Sequence, residues 1–249
     1  MASKKIVWDA PGSRYYENGV SKGVLYPMTE SGDYGIGVAW NGLTTVTESP
    51  SGAEANDIYA DNIKYATLRS AETFGGTIEA YTYPDEFSVC DGSVSPAKGV
   101  NFGQQKRRGF GLSYVTQVGN DTATESDDGY KLHLIYGATA APSERSYTTT
   151  NDSPDAMSMS WEISTVPVSV TADDLRPVST ITIDTTKLDE EGKTALKSLE
   201  TMLYGSETAD PKLPLPEDVY ALFKNKTALP ADTVEGHSLT NGEKSLAVK

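Results

Sequence analysis

Few residues in this sequence have the types and spacing that catalysis requires. The chain has two histidines, His133 and His237, which lie too far apart in the sequence to form a zinc site or a Ser-His-Asp triad by short spacing. His133 lies in an alternating segment and is expected to be an exposed strand residue. The single cysteine, Cys90, follows a short apolar segment, which predicts a buried thiol rather than a nucleophile. We expect no enzyme, no metal site and no cofactor.

Carboxylates are abundant, but the sequence fixes no pair of them at a working separation. The chain has 35 Asp and Glu against 21 Lys and Arg, which gives a formal net charge of −14. A glycosidase needs two carboxylates at a defined distance, and no motif here sets one. The acidic balance argues against a surface that wraps around nucleic acid phosphates. On its own, it is equally consistent with a role in solubility alone.

Lys106, Arg107 and Arg108 form the one basic run. Because the run precedes an alternating segment, it is either a solvated strand end or a patch that pairs with an acidic surface of a neighbouring copy. No glycine-rich segment matches a phosphate-binding loop. The charged residues therefore indicate candidate contacts between proteins and no nucleotide site.

Alternation of apolar with polar or small residues predicts that most of the chain is β-structure. Residues 34–40 alternate in this way, Asn41 and Gly42 then predict a type I′ turn, and residues 43–48 are the expected hairpin partner. The further predicted strands are residues 77–83, 110–114, 131–136, 157–168 and 181–183. Residues 157–168 form the longest of them. Strands of this kind, separated by Gly, Asn, Asp and Pro clusters, predict a sandwich or a barrel.

A long connection follows the predicted hairpin. Residues 49–76 are too many for a tight turn, and connections of that length inside a domain are usually functional or mobile. We interpret part of this segment as an interaction arm. The alternative is an ordinary excursion with its own short strand at residues 61–70.

Helical signals are few. Leucines recur at helical spacing before Gly205, and a capping-box pattern runs from Thr186 to Asp189, so one flanking helix is predicted at about residues 189–204. A second short helix is possible at residues 84–90, where proline and two acids suit a first turn.

The segments after the helix divide the chain into two parts. We predict a β domain over residues 1–224 and a loosely held polar tail over residues 225–249. The first residues lack the apolar run of a signal peptide, and no segment approaches the roughly 18 apolar residues of a membrane span. With a single cysteine and no disulfide, we expect folding in a reducing cytoplasm and no membrane insertion.

Four segments resemble the major tail tube proteins of siphophages that infect Gram-positive bacteria, and they are residues 35–65, 77–87, 102–110 and 130–141. The resemblance implies a mainly β fold, a tail-tube sandwich or barrel with one flanking α-helix. It also implies six copies per ring and rings stacked around a tape measure protein, with DNA in transient contact with the lumen. Tail terminator and tail-tip proteins are the other implied partners. The implied location is the virion tail, assembled in the host bacterial cytoplasm.

The resemblance also suggests roles for particular residues. A loop over about residues 49–64 would contact the adjacent ring, and its candidate residues are Glu48, Glu54, Asp57, Asp61 and Lys64. Candidate lumen-facing acids are Glu79 and Glu162, with Glu72 as a weaker third, since an acidic bore would repel DNA. The alternative for each acid is a position outside the tube or in an ion pair between subunits. The basic run would then pair with a neighbouring copy.

Two other functions fit the same composition. Abundant tyrosine, with 14 residues, and three tryptophans would suit a carbohydrate-binding β-sandwich module of a tail fibre or adhesin. The inner tube of a contractile injection machine is the third reading.

Overall fold

Strands dominate the chain, as its alternating sequence predicts. The computed structural model describes residues 6–52, 54–122, 129–150, 152, 156–171 and 175–224. Its strands are β1 (Tyr15–Pro27), β2 (Val38–Trp40), β3 (Leu43–Glu48), β4 (Ser51–Gly52), β5 (Ala55–Ala60), β6 (Ile63–Arg69), β7 (Glu72–Thr73), β8 (Gly75–Ala80), β9 (Val94–Ala97), β10 (Val100–Phe102), β11 (Phe110–Asn120), β12 (Tyr130–Ala140), β13 (Met159–Thr165) and β14 (Thr180–Asp184). Its helices are α1 (Glu190–Tyr204), α2 (Pro216–Phe223) and the 3-10 turns Asp85–Val89 and Thr185–Lys187. The predicted tail, residues 225–249, lies outside the described residues.

The main sheet is antiparallel and curls back on itself. Its strand order is β2-β1-β11-β12-β13-β8-β3, and β14 pairs with β12 beside β13. β2 and β3 stand at opposite ends of this order, yet only Asn41 and Gly42 join them. Because so short a connection spans only about 10 Å, the two ends of the sheet must meet. The mainly β fold is confirmed, and the curled sheet is consistent with a β-sandwich.

The predicted hairpin over residues 34–48 is wrong in its pairing. Both strands exist, but β2 pairs with β1 and β3 pairs with β8. Gly42 has a φ of 80°, so the turn residue is used to pass from one end of the sheet to the other. Alternation and turn residues indicated where the chain reverses, and the tertiary curl of the sheet decided which strands became neighbours.

The longest strand was not predicted. β1 has 13 residues and pairs with β11, whereas the predicted longest strand, residues 157–168, is reduced to the seven residues of β13. Gly19 and Lys22 have positive φ angles of 68° and 50°, and the β1–β11 register shifts on either side of Ser21. These bulges interrupt the alternation on which the sequence prediction depended.

An aromatic core fills the interior of the curled sheet. Trp161 packs against Phe87 and Trp40 with ring centroids 5.1 and 5.8 Å apart. Phe87 comes from the 3-10 turn Asp85–Val89, so the short helix predicted at residues 84–90 is present in 3-10 form. Cys90 is fully buried in the same core, as predicted, and burial raises the pKa of its thiol to about 12.

Two helices cover the outer face of β1, β11 and β12. Leucines of α1 pack on Leu134 and Tyr136, and Tyr26 donates a hydrogen bond to the Leu203 carbonyl, 2.8 Å away. The predicted helix bounds are confirmed, but Asp189 is the N-cap, accepting from the Gly192 amide at 2.7 Å. The second α-helix, α2, was not predicted from the sequence. The outer face of β3, β8 and β13 has no helix of the described chain upon it.

Candidate interaction surfaces

A two-stranded arm extends the sheet beyond the body. After β3, the chain pairs β4 with β7 and β5 with β6 before it returns as β8. Asp61 and Asn62 at the tip have φ angles of 50° and 61°, which both central positions of a type I′ turn require. The long connection is therefore a β-hairpin, which we call the arm (residues 49–74). The strand of the alternative reading, residues 61–70, is present as β6.

The arm exposes large apolar side chains. Tyr59 and Tyr65 are 68% and 73% exposed, and the other members of the set are Ile58, Ile63 and Leu68. The hairpin is held by its backbone ladder and by Asp57, which bonds Lys64 at 2.8 Å and Thr67 at 2.7 Å. The bond from Lys64 lowers the pKa of Asp57. Several large apolar side chains exposed on one hairpin make the arm a candidate binding surface.

The charged candidates for contact with an adjacent ring are divided between the arm and the end of β3, where the arm leaves the body. Glu54 and Asp61 are exposed on the arm, and Asp57 and Lys64 are bonded to each other there. The predicted candidates for this role were all charged, although the apolar residues of the arm were equally visible in the sequence. Glu48 lies at the end of β3, where the arm leaves the body.

A polar cluster surrounds Glu48. Tyr114 donates a hydrogen bond to Glu48 Oε1 at 2.6 Å, and the same oxygen lies 3.5 Å from His133 Nδ1. On the other side of the ring, His133 Nε2 lies 3.5 Å from Glu17 Oε1 and 2.9 Å from Thr116 Oγ1. The contact with His133 and the bond from Tyr114 lower the pKa of Glu48 against the effect of burial.

His133 was expected to be exposed, and that prediction is wrong. His133 is only 9% exposed, and its ring stacks in parallel on the ring of Tyr114 with centroids 4.6 Å apart. β12 is covered on both faces, by the interior core and by α1, so alternation along it does not report exposure. The sequence did not indicate these partners, because Glu17 lies far away in the chain and the pairing of Tyr114 with His133 depends on the register between β11 and β12.

Glu79 and Glu162 lie on one uncovered face. Glu79 is opposite Ser160, and Glu162 is opposite Thr77, so the alternation of both strands puts the two acids on the outer face of β8 and β13. Their neighbours on this face are small and polar: Thr45, Thr47, Thr77, Ser160 and Ser164. Glu162 is exposed and Glu79 half-buried. The structure thus brings together two of the three candidate lumen acids.

Glu72 belongs to a different part of the molecule. It lies in β7 opposite Gly52, near the base of the arm, and is exposed. It does not share the β8–β13 surface with Glu79 and Glu162.

Two residues of the basic run, Arg107 and Arg108, bond to other groups of the same chain. Arg107 lies 3.5 Å from Asp91 and donates to the Ala140 carbonyl at 3.1 Å, which fixes it against the body. Arg108 pairs with the exposed Glu30 at 2.7 Å, and Lys106 is exposed. A contact with a neighbouring copy would therefore rest on Lys106 and Arg108.

A second exposed hairpin was not predicted. β9 and β10 pair with each other, and Gly99 between them has a φ of 79°. Phe102 is 58% exposed there. The glycine between two short apolar segments was the signal that could have indicated it.

None of the described helices combines the length and apolar character needed to cross a bilayer. Within the described ranges, no group of three His, Cys, Asp or Glu side chains is placed to hold a metal ion.

Most of the chain matches the model of a known protein family. Residues 28–203 match the family model described as "Phage tail tube protein". No curated protein matches the chain. The matched residues run from the end of β1 to the last turn of α1 and include the arm, the uncovered face, and Glu48, Tyr114 and His133 of the polar cluster.

Proposed function

This chain belongs to the phage tail tube protein family, and from that premise we propose that it forms hexameric rings that stack around a tape measure protein into a conduit for DNA ejection. The family makes it a structural component of the virion tail. We further propose a siphophage of Gram-positive bacteria as the source of the tail, and assembly in the host cytoplasm. Tail terminator and tail-tip proteins would close its two ends.

The exposed arm is the observation that carries the proposal. A two-stranded hairpin with large apolar side chains in solvent gains stability when another surface covers them. An arm on one copy and its receiving surface on the next make a heterologous contact, which repeats without closing and builds a stack. A tape measure protein would limit the length of such a stack.

The uncovered acidic face supports a conduit. If the outer face of β3, β8 and β13 lines the bore, each copy contributes Glu79 and Glu162 to a wall with small polar residues around them. DNA carries about one negative charge per 1.7 Å of its axis, so this wall would repel it and prevent adhesion. Screening over about 8 Å at physiological salt leaves that repulsion effective in a narrow bore.

Replacement of both face acids tests the lumen assignment. Glu79→Lys together with Glu162→Lys should slow DNA ejection from assembled particles without stopping tube assembly. Glu207→Lys, an exposed carboxylate in the loop after α1, is the matched control and should leave ejection unchanged. Ejection kinetics that match the wild type in the double variant would contradict the assignment.

Negative-stain electron microscopy of the concentrated full-length protein tests assembly directly. We expect rings or hollow filaments. A solitary globule at all concentrations would contradict the proposal, and binding of a glycan array by that stable monomer would favour a carbohydrate-binding module instead.

A further inference from the structure

The arm leaves the body through a root that has little intrinsic stiffness. Gly75 and Gly76 begin β8 directly after the arm. A Cβ atom at Gly76 would lie 2.3 Å from the Thr47 carbonyl oxygen, so the strands approach too closely here for any side chain. Glycine restricts the backbone least of all residues, so the return strand is held here by its ladders to β3 and β13 and by no side chain of its own. Side-chain contacts of the outgoing strand therefore add to these ladders in setting the angle of the arm.

Glu48 supplies such a contact from the outgoing strand. Its carboxylate accepts a 2.6 Å bond from Tyr114 on β11 and lies 3.5 Å from His133 on β12. β11 and β12 are not neighbours of β3 in the sheet, so this side chain bridges the interior of the curled sheet. A bond across the sheet adds a restraint on β3 to the hydrogen bonds of its ladder with β8.

The partners of Glu48 are themselves fixed in place. The His133 ring stacks on Tyr114 at 4.6 Å, and its Nε2 lies 2.9 Å from Thr116 Oγ1, which in turn donates to Glu17 at 2.5 Å. Burial and the Glu48 carboxylate raise the pKa of Tyr114, so its hydroxyl remains a donor. Glu48 thus meets a rigid pair of side chains.

The returning strand is held through its backbone. The Phe74 carbonyl accepts bonds from the Thr165 amide at 3.1 Å and from the Thr165 hydroxyl at 2.7 Å. Both strands of the root are therefore attached to the body, and only on the Glu48 side does the attachment depend on charged side chains. Because the Glu48 contact is made by a side chain, a conservative substitution of Glu48 can remove it.

We propose that Glu48, Tyr114 and His133 are positioning residues that hold the arm at a fixed angle to the body, so that its apolar side chains meet the next ring in register. This inference rests on the proposed function, since the fixed angle matters only if the arm contacts another ring. The three residues need not touch the neighbouring copy.

Distances between two spin labels on the monomer, measured by electron paramagnetic resonance, test the proposal. Spin labels at Ala60→Cys near the arm tip and Ser198→Cys on α1 report the angle of the arm, and the buried Cys90 stays unlabelled. We expect Glu48→Gln and Tyr114→Phe each to broaden the distance distribution about twofold, since the root loses one restraint. Tyr114→Phe keeps the ring that stacks on His133 and removes only the hydroxyl.

The controls separate this proposal from the proposed function. Glu207→Gln should leave the distribution unchanged, and thermal melting should show that each variant is folded. Widths in Glu48→Gln and Tyr114→Phe equal to the wild type would overturn the positioning role, even if tubes form. Broadening that leaves the ring spacing and the critical concentration for assembly unaltered would also overturn it. A wild-type protein that never forms rings would instead overturn the proposed function, whatever the label distances.

Discussion

The body and the arm are built from the same kind of strand but place their large side chains in opposite environments. Trp161 and Phe87 in the body are 1% and 0% exposed, whereas Tyr59 and Tyr65 on the arm are 68% and 73% exposed. The body therefore contains its own hydrophobic stabilisation, whereas the arm is held by its backbone ladder, a tight turn and the bonds of Asp57 to Lys64 and Thr67. From this contrast we propose that folding and assembly depend on separate segments of this chain, which substitutions can test one at a time.

The largest expected effect is on the body. Trp161→Ala removes a side chain that packs against Phe87, Trp40 and Tyr83, with ring centroids 5.1, 5.8 and 5.6 Å away. We expect a loss of about 3–5 kcal/mol in the free energy of unfolding, measured by urea denaturation, because the cavity cannot collapse within an aromatic cluster. Phe102→Ala, which truncates an exposed aromatic, is the control and should cost less than about 0.5 kcal/mol. Equal losses in the two variants would show that the aromatic cluster is not the core.

A smaller effect is expected at the junction of body and arm, and it depends on pH. Contact with His133 and the bond from Tyr114 hold the pKa of Glu48 below its ordinary value of 4.5. A carboxylate with a lowered pKa in the folded state stabilises that state above the ordinary value and loses the contribution as pH falls below it. Glu48→Gln should therefore cost on the order of 1 kcal/mol at pH 7, a figure reduced by the partial exposure of the side chain.

The cost should disappear as the solution is acidified below pH 4.5. Urea denaturation of the wild type and of Glu48→Gln between neutral and acid pH measures it. Glu17 also has a lowered pKa, because of its bond to Lys131, and it remains in both proteins. A gap between the two proteins that is constant with pH would show that the charge of Glu48 does not stabilise the junction.

The body was more predictable from the sequence than its connections. Alternation located β11, β12 and β14, and leucine spacing located α1, because each signal arises within one element. Pairing of β2 with β1 could not be predicted, since it depends on the curl of the whole sheet. Bulges hid β1 for a related reason, because they break the period that identifies a strand.

The candidate site was predictable in part. Alternation placed Glu79 and Glu162 on polar faces, but only the register between β8 and β13 shows that they share one surface. His133 could not be assigned from sequence, since its environment is made by Glu17 and Glu48, which lie far from it in the chain. The inter-ring, lumen and intersubunit roles of the named residues remain predictions.

The smallest expected effect on stability is also the one that separates the two regions most clearly. Ile63→Ser combined with Tyr65→Ser removes apolar side chains that are 63% and 73% exposed, so the free energy of unfolding should change by less than about 0.5 kcal/mol. Assembly into rings or tubes, followed by electron microscopy and sedimentation, should nevertheless be lost, because the neighbouring copy could no longer bury two of the five large apolar side chains of the arm.

The matched control for that loss is the other exposed hairpin. Val94→Ser combined with Phe102→Ser removes side chains that are 43% and 58% exposed without touching the arm, and assembly should persist. If the arm variant still assembled while this control failed, the assembly surface would lie on β9 and β10 instead. If the arm variant unfolded at low urea, the arm would be part of the core that stabilises the body. Only stability retained together with assembly lost supports a division between a self-sufficient body and an arm that needs a neighbour.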